Sequence, residues 1–150
     1  MNIGHLCNRT VVYTTKGEPV LDAARRMRDE HVGDLVVVEE RDGRSVPVGV
    51  LTDRDIVVSL LAKNPDYLRQ LTVGDVLTRE LVIARESEDV THVIDRMRQH
   101  GVRRMPIVDA GGALVGIFTL DDLLELLYRD LESVAMLIRR ERRVEIEKRP

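Results

Sequence analysis

A run of residues, Val20-Leu-Asp-Ala-Ala-Arg-Arg-Met-Arg-Asp-Glu-His-Val32, returns seventy positions later as Val90-Thr-His-Val-Ile-Asp-Arg-Met-Arg-Gln-His-Gly-Val102. Each copy continues through an apolar stretch, a Gly-containing turn and a second apolar stretch. Each ends on one heptapeptide pattern, Gly49-Val-Leu-Thr-Asp-Arg-Asp55 and Gly116-Ile-Phe-Thr-Leu-Asp-Asp122. Between the turn and the heptapeptide the offset falls from 70 to 67, which puts three extra residues near Arg44–Val46 of the first copy. A unit this short does not bury its apolar face alone, so the copies are expected to pack on each other. The seam between them is the first place to look for function.

Within each copy the apolar period assigns the elements. Val20, Ala23, Ala24 and Met27, and again Val90, Val93, Ile94 and Met97, follow the i, i+3, i+4, i+7 spacing of an amphipathic helix. Pro19 suits a first helical turn, and Glu88 and Asp89 favour the positive helix start. Short strands are predicted before each helix (11–14 and 81–84) and after it (35–38 and 105–108). Arg41-Asp-Gly43 and Ala110-Gly-Gly112 then turn into strands 46–51 and 114–118. Second helices are predicted over 56–63 and 121–129. Asn64-Pro65-Asp66 marks a connector, and Thr72-Val-Gly-Asp75 fits a capping box opening a short helical turn. Leu120, Leu123, Leu124, Leu127, Leu131, Val134 and Ile138 keep three–four spacing, so the last helix continues past the repeat. The fold class is α+β, with repeats at 1–66 and 67–130 and a helical extension at 131–150. The mixed charges of Arg139–Arg143 and Glu145–Arg149 read as a solvated helix end, with contact to a partner or anionic surface as the alternative.

The 150 residues carry a net charge of −3, 3% aromatics and no Trp, which offers neither a basic footprint nor a stacking platform for nucleic acid. No apolar run reaches the roughly 18 residues of a membrane span. Cys7 is the only cysteine, so no intrachain disulfide forms and a reducing, cytoplasmic setting is expected. Asn8-Arg9-Thr10 matches a glycosylation acceptor by chance on that reading.

Gly-h-h-Thr-x-x-Asp (h apolar) closes a strand and opens a helix in both copies. Such a junction offers free N–H groups and a partial positive charge to an anion such as phosphate. The threonine hydroxyl can add a donor, and the aspartate can accept hydrogen bonds from a ribose. Thr and Asp are also favoured helix caps, so one copy alone would say little. Their recurrence at equivalent positions favours a binding role.

Helix, then His31-Val-Gly-Asp-Leu-Val-Val-Val-Glu39 or Gly101-Val-Arg-Arg-Met-Pro-Ile-Val-Asp109, then Gly-h-h-Thr-x-x-Asp, resembles a stand-alone tandem pair of CBS domains, a Bateman module, over about residues 3–130. The resemblance implies two β-α-β-β-α repeats about a pseudo-twofold axis. It also implies two clefts for adenosine-containing ligands, AMP, ADP, ATP or S-adenosylmethionine. One cleft would comprise Val50, Thr52, Arg54 and Asp55 with Val102 and Arg103. The other would comprise Ile117, Thr119, Asp121 and Asp122 with Thr10, Val32, Gly33 and, nearby, His5. Asp55 and Asp122 would hold ribose, Thr52 and Thr119 would face phosphate, and Val50, Val102, Ile117 and Val32 would sandwich the base. A homodimer and a separate regulated protein are the partners such modules imply. What lies outside the repeats is too short for a catalytic domain, so no enzyme is expected.

The clefts are not equivalent. Arg54 stands where the second copy has Asp121, and Arg103 stands where the first has Gly33. Two guanidiniums favour a phosphorylated nucleotide. The extra carboxylate would leave the other cleft empty, with an uncharged or cationic nucleoside, or dependent on a metal ion. The pairs Asp53/Asp55 and Asp121/Asp122 lack converging His or Cys, so no dedicated metal site is expected. His5, His31, His92 and His100 read as surface residues, Cys7 as an inert thiol, and Met27, Met97 and Met105 as core. The competing function is a scaffold for dimerisation or protein interaction that has lost its ligand.

Overall fold

The computed structural model describes residues 1–77 and 79–149. Two compact units are found, one from Met1 to Phe118 and a second that begins at Thr119. The first contains a short 3-10 turn (Ile3–His5), β1 (Tyr13–Thr14), α1 (Val20–Asp29), β2 (Asp34–Arg41), β3 (Arg44–Thr52) and α2 (Asp55–Leu61). It continues with α3 (Tyr67–Gln70), α4 (Val73–Val76), β4 (Ala84–Arg85), α5 (Val90–His100), β5 (Arg104–Val108) and β6, which runs from Leu114 to Thr119 at the boundary. The strands form two three-stranded sheets, β1-β2-β3 and β4-β5-β6, with β1 parallel to β2 and β4 parallel to β5.

The expected helical faces are those that bury. Val20, Ala23 and Met27 of α1, and Val93 and Met97 of α5, lie in the core with Leu35, Leu51, Ile107 and Phe118. The β2–β3 hairpin turns on Asp42 (φ 51°) and Gly43 (φ 73°). Two positive φ values in succession match the right-handed twist of the flanking strands, which is why Asp-Gly suits a two-residue hairpin. The three extra residues of the first copy lengthen this hairpin rather than forming a loop: β2 and β3 have 8 and 9 residues, β5 and β6 only 5 and 6. A register shift between Val37 and Val38 bulges the longer ladder.

Two expectations change. The strands predicted over 11–14 and 81–84 are pairs, Tyr13–Thr14 and Ala84–Arg85, because only these residues enter the parallel ladder. The second helix of the first copy is wider than an α-helix, with the Ala62 N–H bonded to the carbonyl of Val57, five residues back.

The repeats exchange short segments. The N–H of Val20 donates to Leu71 (3.0 Å), and seventy positions on, that of Val90 donates to Met1 (2.9 Å). Val73 donates to Glu18 and Ile3 to Glu88, both at 2.8 Å, and Gly74 and Gly4 bond Lys16 and Glu86 in the same way. Each repeat is thus completed by the segment that precedes the other. A side chain at Gly4 would sit 2.8 Å from the Glu86 carbonyl, so close backbone approach explains that glycine. A second repeated device braces each helix: Arg26 pairs with Glu18 and Arg96 with Glu88, both at 2.5 Å, while the same guanidiniums bond the carbonyls of Tyr13 and Ile83. The Arg96 partner holds the Glu88 carboxyl below its usual range.

The second unit is one helix, α6 (Leu120–Lys148), which confirms that the final helix extends well beyond the repeat.

Candidate ligand-binding cavity

The heptapeptide does form a strand–helix junction, and its Thr and Asp cap the helix. The Thr52 N–H donates to Asp55 Oδ2 (3.0 Å) and the Asp55 N–H donates to Thr52 Oγ1 (3.1 Å). Thr119 and Asp122 make the same reciprocal bonds at 2.7 and 3.2 Å. So do Thr72 and Asp75 at the start of α4, where the Thr72 N–H and hydroxyl both donate to the Asp75 carboxylate and hold it below the usual range. Capping is therefore the common structural duty of Thr-x-x-Asp in this chain. Something beyond the cap must mark a site.

For Thr52 and Asp55 that something is a cavity of about 360 Å³, within the size range of small-molecule sites. Val50, Thr52, Arg54 and Asp55 line it from the first copy, with Val102 and Arg103 from the second. All six residues proposed for this cleft thus share one cavity, together with Asp53, Arg79, Glu80, Leu81, Val82, Gly101 and Arg104. Val50, Leu81, Val82 and Val102 are half-buried and give the cavity apolar walls. Charged groups surround those walls.

The four guanidiniums are not alike. Arg104 is held by Asp34 (2.8 Å) and by the Gly33 carbonyl (3.3 Å), and Arg79 lies 3.8 Å from Asp55 Oδ1. Arg54 and Arg103 are exposed, and their guanidiniums make no hydrogen bond or ion pair among the described residues. These two are available to an anion. Burial raises the pKa of Asp34, Arg104 opposes that shift, and Asp53 adds to it. Asp34 and Arg104 are seventy positions apart, so equivalent positions of the two repeats face each other as an ion pair. Gly101 lets the chain leave α5 at φ 63°, and His31 takes the equivalent turn at φ 56°.

The other proposed set divides between the compact units. In the first, Ile117 is buried, Val32 and Gly33 are half-buried, and Thr10 and His5 are exposed. The Gly33 carbonyl accepts the Asp53 N–H (2.9 Å), and a side chain at Gly33 would approach Asp53 Oδ2 to 3.2 Å. In the second unit, Thr119 and Asp122 cap α6 and Asp121 is exposed.

Sequence reasoning missed Asp53, Arg79, Glu80, Leu81, Val82, Gly101 and Arg104 as cavity residues. Part of the signal was present: the offset of 70 carries Thr10 to Glu80, and Val11 and Val12 to Leu81 and Val82. The apolar run was assigned to a strand, whereas Leu81 and Val82 line the cavity. No cluster of three or more His, Cys, Asp or Glu placed to hold a metal occurs among the described residues. No helix among them is long and apolar enough to cross a membrane.

Residues 3–62 and 73–129 each match the family model of the CBS domain. An uncharacterised protein of Methanopyrus kandleri, MK0525, is 32% identical over 127 residues, covering 83% of this chain and 62% of the relative. The chain thus spans less than two thirds of that protein. The CBS domain-containing protein YhcV of Bacillus subtilis is 36% identical over 113 residues, covering 75% of this chain and 76% of YhcV. Among solved structures, the CBS domain pair of protein MJ0100, in complex with 5′-methylthioadenosine and S-adenosyl-L-methionine, superposes with a TM-score of 0.74. It is 25% identical, over 87% of this chain and 98% of that one. Hypoxic Response Protein I, solved with two coordinated zinc ions, is 29% identical with a TM-score of 0.70, covering 83% of this chain and 98% of that one. With both matched segments and the fold in agreement, the chain belongs to the CBS domain family as a tandem pair of repeats.

Proposed function

We propose that this protein is a regulatory sensor of adenosine-containing ligands, and that the cavity lined by Val50, Thr52, Arg54, Asp55, Val102 and Arg103 takes a phosphorylated one. The observation that carries this reading is an apolar-walled cavity edged by two guanidiniums without partners among the described residues, beside a capped helix start. The base lies between Val50, Val82 and Val102. Asp55 has one oxygen committed to the Thr52 N–H, so Oδ1 is the oxygen that accepts from the ribose. Arg54 and Arg103 hold the phosphate. The adenosine derivatives in the MJ0100 complex support the ligand class.

The set containing Thr119, Asp121 and Asp122 has no guanidinium at the position of Arg54. No phosphorylated ligand is proposed for it. The sensor signals to a separate protein, and a ligand shifts such a molecule only through different affinities for two conformations. Catalysis forms no part of this reading.

Calorimetric titration of AMP, ADP, ATP, S-adenosylmethionine and guanosine monophosphate into the full chain is the test. Saturable binding of at least one adenosine nucleotide is expected. Absence of heat and of any thermal shift across the panel would instead support the ligand-free scaffold.

A further inference from the structure

Helix α6 presents a long apolar stripe to solvent. Leu124, Leu127, Leu131, Val134 and Ile138 recur at three–four spacing and are 49–70% exposed. This spacing is the seam of a two-helix coiled coil. Charge along the same helix is polarised. Residues 120–138 carry five carboxylates and one arginine, whereas residues 139–149 carry six basic side chains and three acidic ones. The helix dipole favours acids in the first turn and bases in the last, and its influence falls off within one turn. It does not account for Arg139, Arg140, Arg142 and Arg143, which lie inward of the final turn at Glu145–Lys148.

We infer that the occupant of this stripe is α6 of a second copy, running antiparallel and crossing at Leu131. About that centre Leu124 meets Ile138 and Leu127 meets the Val134–Ala135 step, so the stripe is covered by its own mirror sequence. Asp121 and Asp122 then lie beside the arginine cluster of the other copy. A parallel pairing would set four arginines against the same four, and like charges at that spacing repel. The polarity of charge therefore selects both the partner and the direction.

Light scattering on the full chain should give a dimer, and Leu131→Glu should give a monomer whose circular dichroism is unchanged. Orientation is read by disulfide trapping, with the wild type, whose Cys7 is buried, as control. Asp121 and Glu141 are equidistant from Leu131. A mixture of Asp121→Cys and Glu141→Cys should cross-link on oxidation, and each variant alone should not. Self-cross-linking of Glu141→Cys would show parallel pairing and overturn the inference. So would a monomeric wild type, or a monomer that instead sediments with vesicles of phosphatidylcholine and phosphatidylserine through its arginines.

Discussion

Arg104→Ala is expected to destabilise the protein by about 2–3 kcal/mol at pH 7, below the full cost of breaking a wholly buried pair because some solvent remains. Arg104 and Asp34 are 28% and 16% exposed and 2.8 Å apart. Removing the guanidinium leaves a desolvated carboxylate with Asp53 as a like-charged neighbour. The sign with pH is definite. Asp34 holds its proton more tightly folded than unfolded, so its contribution is fully present below the unfolded value of 3.8. That contribution is lost as pH rises through the raised folded value. Without Arg104 the folded value climbs further, so the variant should approach wild-type stability in acid and diverge as pH rises. Urea denaturation at several pH values measures this. Because the pair joins equivalent positions, the exchange Asp34→Arg with Arg104→Asp should restore most of the stability. An exchange no more stable than Arg104→Ala would show that the two sites are not interchangeable about the axis.

The second large effect concerns the ligand. Charge-assisted hydrogen bonds are worth about 1.5–3 kcal/mol each, or roughly 10–100-fold in affinity. Arg54→Ala should therefore weaken AMP binding at least about 10-fold on that scale. Adding Arg103→Ala should weaken it by about 100-fold or more, within the non-additivity of neighbouring groups. Adenosine, which lacks the phosphate, should bind wild type and variants alike. Both arginines are exposed and unpaired among the described residues, so the substitutions spare the fold. Equal losses for AMP and adenosine would assign these arginines to shaping the cavity, and unchanged AMP affinity would remove them from the site.

Much of this was legible in the residues because it rests on local periodicity. The stripes of α1 and α5, the Asp42-Gly43 turn and the three Thr-x-x-Asp caps each follow from residues a few positions apart. So does the run of α6. What was not legible depends on distant backbone. The bonds from Val20 to Leu71 and from Val90 to Met1 involve main-chain groups that every residue possesses, so no side chain announces the exchange of segments. Leu81 and Val82 have strand propensity, but tertiary context sends them to a cavity wall. The difference between Asp34 and Arg104 was visible at equivalent positions. Its meaning required the axis that sets them face to face. The asymmetries at Arg54 and Arg103 were recognised because the resemblance assigns both positions to a cleft, whereas it assigns no role to Asp34 or Arg104.

Methyl NMR of the full chain, labelled at valine and leucine and titrated with AMP, addresses the central claim most directly. Resonances of Val50, Leu81, Val82 and Val102 should shift together and saturate along one binding curve. Saturable AMP binding that leaves the four cavity methyls unmoved would contradict the assignment of this cavity as the nucleotide site.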